Sequence, residues 1–66
     1  MNIKLNGKQT NVIDGISLSS LLESLQIEPG LVACELNLKV IRRKDYAATI
    51  LKEGDELEIL RMIGGG

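Results

Sequence analysis

Three of the seven glycines in this 66-residue sequence are its last three residues, Gly64, Gly65 and Gly66. Glycine packs nothing and loses more conformational entropy on ordering than any other residue, so a triplet directly after the apolar Met62-Ile63 is expected to form a mobile, exposed tail. Fully extended at ~3.5 Å per residue, it would reach about 10 Å beyond the body. Lacking every Cβ, it is as thin as a peptide can be and could thread a narrow channel in another protein. Its unpaired backbone groups would hydrogen-bond to the channel wall. The carboxylate of Gly66, ionised at neutral pH, could attack the α-phosphate of ATP. The product would be an acyl-adenylate, a mixed anhydride from which a sulfur nucleophile displaces AMP with no side chain in its way. A frayed end with no chemistry fits the same triplet.

The remaining reactive residues give weaker signals. Cys34, the single cysteine, shares strand parity with Val32 and Leu36, which reads as a small core residue rather than a sulfur relay. Lys39, Arg42, Arg43 and Lys44 form a basic run that could dock an acidic partner surface or simply be solvated. Glu53, Asp55, Glu56 and Glu58 form an acidic stretch, but with no histidine in the chain it reads as a charged turn and outer strand face rather than an acid/base pair. One cysteine and no histidine leave neither a disulfide nor a zinc or iron–sulfur spacing, so no metal and no bound cofactor are expected.

Those residues must be positioned by a small body. Eight basic against nine acidic residues give a net charge of −1, which does not suit a nucleic-acid binder. No apolar run approaches a membrane span and the amino terminus lacks a leader pattern, so a cytoplasmic protein, monomeric when free, is expected. With 44% hydrophobic and 26% charged residues the chain is globular, and nearly every Leu, Ile and Val must join the core.

Asn6-Gly7 marks a type I′ hairpin turn joining two short strands over residues 2–13. Ser17 is an N-cap for a helix over 18–26, since Leu18, Leu21, Leu22 and Leu25 follow at the spacing of one helical face. Ile16 and Leu21 can staple its start. Glu28-Pro29-Gly30 ends this element. Val32 to Ile41 reads as two strands reversing near Asn37, and Arg42 to Ala48 as an irregular or single-turn helical connection. There Tyr46, the sole aromatic residue, covers one end of the core with its hydroxyl wet. After the Gly54-Asp55 turn, Glu56-Leu57-Glu58-Ile59 alternates and then changes phase. If the strand stays regular, Leu60 and Met62 face solvent as a partner-docking patch; if a bulge falls at Leu60, Met62 turns inward. The expected architecture is an α+β roll of one main helix across a mixed sheet, with a domain of residues 1–63 and a tail of residues 64–66.

The opening strand into Asn6-Gly7-Lys8, the helix Ser17-Leu18-Ser19-Ser20-Leu21-Leu22, the Val32-to-Ile41 strand pair and Glu53-Gly54-Asp55-Glu56-Leu57-Glu58-Ile59 leading to Met62-Ile63-Gly64-Gly65-Gly66 together resemble the ThiS family. These are bacterial sulfur carriers of thiamine biosynthesis with a ubiquitin-like β-grasp fold. The resemblance covers essentially the whole chain. It departs at Arg42-Arg43, where the family often has Pro-Arg, and at Ser20, where an acidic residue is common. It implies a co-substrate rather than an enzyme. Gly66 would be adenylated by an E1-like adenylyltransferase using MgATP, converted to a thiocarboxylate with sulfur from a cysteine desulfurase relay, and presented to thiazole synthase, with Gly65 and Gly64 as spacer. The same chemistry could serve another route, as in the small subunit of molybdopterin synthase or a cysteine-forming carrier. A non-covalent β-grasp binding module would not need its last glycine.

Overall fold

Asn6 and Gly7 take φ of 51° and 79°, the two successive positive values that a type I′ turn demands, and they join β1 (Asn2–Leu5) to β2 (Lys8–Asn11). The computed structural model describes residues 1–62, so the expected boundary at residue 63 and the glycines at 64–66 lie outside the described residues. The second strand stops at Asn11, short of the expected Val12-Ile13. Val12 turns into the core, its N–H donating to the Met1 carbonyl at 2.8 Å, while Ile13 is left 75% exposed.

Ser17 caps α1 (Leu18–Ser24) as its sequence predicts, its Oγ accepting from the Ser20 N–H at 3.1 Å. Leu18, Leu21 and Leu22 are the buried face. The helix ends two residues earlier than expected, because Gln26 adopts φ of 58°. The Gln26 and Ile27 N–H groups then bond the Glu23 and Leu22 carbonyls at 3.0 and 2.9 Å. This is a Schellman closure with glutamine in the left-handed position, and it turns Ile27 back onto the core.

After a 3₁₀ turn at Pro29–Leu31 come β3 (Val32–Leu36) and β4 (Lys39–Ile41), reversed through Asn37 and Leu38. A second 3₁₀ segment, Arg43–Ala48, forms the connection expected there. The chain at 49–51 is tied to the helix entrance: the Leu18 N–H donates to the Thr49 carbonyl at 2.8 Å and the Leu51 N–H to the Ile16 carbonyl at 2.9 Å. That pairing seats Leu51 in the core.

The last strand, β5 (Glu56–Arg61), enters the middle of the sheet, whose order is β2-β1-β5-β3-β4. It is parallel to β1 and antiparallel to β3. This is the mixed five-stranded sheet with one main helix of a ubiquitin-like β-grasp fold. Ile3, Val32, Cys34 and Leu57 meet Leu18, Leu21, Leu22 and Leu51 in the core. The opposite face of the sheet has no layer over it among the described elements. Within those residues no helix is long and apolar enough to cross a membrane.

Candidate functional site

β5 is the element that carries the chain toward residues 63–66, and it is anchored on both flanks. On the β3 side the register runs without interruption from Leu36↔Leu57 to Val32↔Arg61, and the Met62 N–H still donates to the Leu31 carbonyl at 2.9 Å. On the other side β1 ends at Leu5, yet the pairing continues. The Asn6 N–H donates to the Leu57 carbonyl at 2.9 Å, and the Asn6 side chain replaces the next residue of the strand. Its Oδ1 accepts from the Ile59 N–H at 2.7 Å and its Nδ2 donates to the Ile59 carbonyl at 3.4 Å. A side-chain amide carries one donor and one acceptor in the same plane, as a peptide group does, so it can extend a ladder by one step.

Continuous register rules out a bulge at Leu60. Leu60 and Met62 are accordingly on the outside, 49% and 55% exposed, and the inward alternative for Met62 is corrected. The phase change belongs to Arg61 instead. It occupies the helix-side parity of the strand but lies past the end of the core, and lines a cleft of about 160 Å³ with Leu5, Asn6, Leu25, Ile27, Val32 and Ile59. A long aliphatic stem with a charged head suits that half-covered place.

The other candidate residues fall where a structural role would put them. Cys34 is fully buried among the core residues beside Tyr46, and burial pushes its thiol up from the usual range, against a hydrogen bond from Tyr46 that pulls it down. A buried thiol with a raised pKa is a poor nucleophile, which removes it as a relay. Tyr46 is buried, 4% exposed, and covers one end of the core as expected. Its pKa is pushed up from 10.0 to about 12, first by burial and then by the hydrogen bond with Cys34.

The basic run is dispersed. Lys39 lies on β4, Arg43 packs its guanidinium over Gly30, where a Cβ would sit 3.0 Å from a guanidinium nitrogen, and Lys44 pairs with Asp45 at 3.4 Å. The acidic stretch holds the final turn: Glu53 accepts from the Asn2 N–H at 2.9 Å, and Asp55 accepts from the Lys52 N–H at 2.8 Å and from Asn37 Nδ2 at 3.0 Å. Glu56 and Glu58 are exposed on the strand. No group of three His, Cys, Asp or Glu side chains is arranged to hold a metal ion among the described residues. Sequence reading missed the two asparagine clamps, whose partners 18 to 53 residues away become neighbours only once the sheet has its register.

A profile of the ThiS family matches residues 3–66. The chain belongs to the ThiS family. It is 34% identical to the sulfur carrier protein ThiS of Bacillus subtilis (strain 168) over 65 residues, which is 97% of this chain and 98% of that protein. The crystal structure of a thiamine biosynthesis protein (ThiS) from Geobacter metallireducens superposes with a TM-score of 0.87 at 36% identity, covering 100% of both chains. A thiazole synthase of Magnetococcus marinus is 42% identical over all 66 residues, and the chain spans only 20% of the length of that protein. Family membership and fold thus agree with what the sequence resembles.

Proposed function

We propose that this chain is a sulfur carrier for thiamine biosynthesis, acting as a co-substrate, with the carboxylate of Gly66 as the reacting group. The observation that carries the reading is the near full-length match to a sulfur carrier of the ThiS family, 97% of one chain against 98% of the other. In this proposal the carboxylate oxygen attacks the α-phosphorus of ATP in an E1-like adenylyltransferase, and pyrophosphate leaves with magnesium. The outer sulfur of a persulfide on a cysteine desulfurase relay then displaces AMP to give an acyl disulfide. A second thiol attacks the relay's sulfur and leaves as a disulfide with it, freeing the thiocarboxylate, for a net exchange of one oxygen for one sulfur. The thiocarboxylate is presented to thiazole synthase. Support for that partner comes from the thiazole synthase of Magnetococcus marinus, one fifth of which resembles this whole chain.

The body serves this chemistry as a handle. In sequence, residues 63–66 follow a strand fixed by Asn6 on one flank and Leu31 on the other, so the place at which the described chain ends, Met62, is set relative to the sheet. The exposed Leu60 and Met62, immediately before them, are the partner-contact residues of the proposal. Gly65 and Gly64 are the side-chain-free spacer. The test is to incubate the chain with the adenylyltransferase of the same organism, MgATP, a persulfide donor and a thiol reductant, and to weigh it. The expected result is a mass gain equal to replacement of one oxygen by sulfur; an unchanged mass with an enzyme shown to be active contradicts the reading.

A further inference from the structure

Asparagine stands at four positions in the chain, Asn2, Asn6, Asn11 and Asn37, and only Asn6 is followed by glycine. That dipeptide carries a chemistry of its own. The backbone nitrogen of the residue after an asparagine can attack the asparagine Cγ, and any side chain on that residue hinders the approach, so glycine permits it best. Ile3 and Val12, which follow Asn2 and Asn11, are β-branched, and Leu38 follows Asn37. Asn6 is exposed on its turn, where water reaches it. In the fold its amide is engaged elsewhere, on the N–H and the carbonyl of Ile59 at 2.7 and 3.4 Å. Cyclisation needs that amide released from β5 and turned onto its own following peptide unit. The seam that must open is short: β1 and β5 share the register pairs Lys4↔Glu56 and Leu5↔Leu57, and Asn6 closes its end. Local opening of such a seam requires less free energy than global unfolding.

We propose that Asn6 is a site of spontaneous deamidation, held back by its clamp on Ile59 and released when the β1–β5 seam opens. The Gly7 nitrogen gives up its proton and bonds to Cγ of Asn6. The bond from Cγ to Nδ2 breaks, and the amide nitrogen leaves as ammonia, giving a cyclic imide. Water then adds to one of the imide carbonyls. Opening at Cγ leaves aspartate at position 6; opening at the main-chain carbonyl leaves isoaspartate, in which the backbone runs through Cβ. Water is the only co-reactant. Either product disables the clamp. A carboxylate has no N–H to donate to the Ile59 carbonyl and sets a negative charge beside it, and the added backbone methylene of isoaspartate breaks a turn whose φ values are 51° and 79°. The end of β5 then keeps only its β3 flank. Asn37 is the contrast within the same chain: it is exposed, sits in the same turn geometry and is clamped to the start of β5, but the residue after it is Leu38 at φ of 71°. The strained leucine thus shields a turn that glycine would leave open to attack. The inference goes beyond the sulfur-carrier reading and does not depend on it.

The experiment holds the full chain in mildly alkaline buffer, folded and in denaturant, then digests it and follows each asparagine-containing peptide by mass, with isoaspartate identified by fragmentation. Position 6 is expected to gain the mass difference between an amide and an acid, at least about tenfold faster in denaturant than in the folded chain. Over the same time Asn37 is expected to keep its amide in wild type and to lose it in denatured Leu38→Gly. Asp14-Gly15 can isomerise by the same route, but without a change of mass, so it does not enter the count. Asn6→Asp, which reproduces one product, is expected to lower the melting temperature by about 4–10 °C. Equal rates at position 6 in the folded and unfolded chain, no reaction there in either, or wild-type Asn37 reacting as fast as Asn6 in denaturant each overturns the proposal. So does an Asn6→Asp variant that melts with wild type. The sulfur mass assay reads position 66 and this one position 6, so the failure of either reading leaves the other standing.

Discussion

The two hairpins on either side of β5 are built on the same plan and finished differently. Both reverse through an asparagine followed by a residue at positive φ, 51° and 79° at Asn6-Gly7 and 52° and 71° at Asn37-Leu38. Both asparagines then turn their side chains onto β5. Asn6 brackets Ile59, while Asn37 accepts from the Glu56 N–H at 2.9 Å through Oδ1 and donates to Asp55 at 3.0 Å through Nδ2. The central strand is therefore clamped near its start from one hairpin and near its end from the other. The difference lies in the second turn residue. Gly7 meets the left-handed requirement at no steric cost, whereas Leu38 meets it against a Cβ clash and leaves its side chain 89% exposed. Turn geometry is required at both places; the cheapest residue for it is used only at one.

The hairpins also differ in what can be titrated inside them, and that difference gives the largest expected effect. The β3–β4 half encloses Cys34 against Tyr46; the β1–β2 half has no buried titratable side chain among the described residues. Both forms of the protein keep Tyr46 neutral below pH 10. Between pH 10 and 12 the unfolded chain ionises it while the folded chain, with its pKa raised to about 12, does not. Stability present at neutral pH is thus lost as pH rises through that window, by about 2–3 kcal/mol from this group. Chemical denaturation at stepped alkaline pH should show the loss, and Tyr46→Phe should reduce it, leaving the part due to Cys34, whose thiol pKa is also pushed up by burial. A wild-type curve flat from pH 10 to 12 would contradict the burial of this pair.

The clamps come next. Asn6→Gly and Asn37→Gly keep the positive φ and delete only the side-chain bonds, so each is expected to cost about 1–2 kcal/mol in equilibrium unfolding, with a strand N–H left unpaired in both. If one costs nothing, the symmetry of the two hairpins is only geometric. Exchanging the turn residues gives one effect of similar size and one smaller. A Cβ at Gly7 meets nothing within 4 Å, so Gly7→Leu tests backbone strain alone and is expected to cost about 1–2 kcal/mol. Leu38→Gly should return roughly 0.5–1 kcal/mol. A destabilised Leu38→Gly would mean that the leucine makes a contact worth more than its strain.

The parts of this molecule legible in the sequence are those decided within a few residues. Asn6-Gly7 announces its turn, Ser17 its cap, and Leu18, Leu21 and Leu22 their shared face, because each signal and its consequence lie within one turn of chain. The strand parity of Leu60 was also legible, but its exposure needed the register with Ala33 to rule out a bulge. What escaped the sequence depends on distant partners. The helix ends at Ser24 because burial of Ile27 puts a glutamine where glycine is usual. Tyr46 is enclosed because Cys34 of β3 lies against it, and Leu51 is core because its N–H pairs with Ile16. The glycines at 64–66, on which the proposed chemistry rests, lie outside the described residues.

The central claim is that covalent chemistry belongs to Gly66 while the folded body only presents it. The most direct measurement is the mass of wild type and of a variant lacking Gly66, each incubated with the adenylyltransferase, MgATP, a persulfide donor and a thiol reductant, alongside their melting temperatures. The account predicts that wild type exchanges one oxygen for sulfur, that the shortened chain does not, and that the two melt together. Equal sulfur incorporation by both, or incorporation by neither with an enzyme of proven activity, would contradict it.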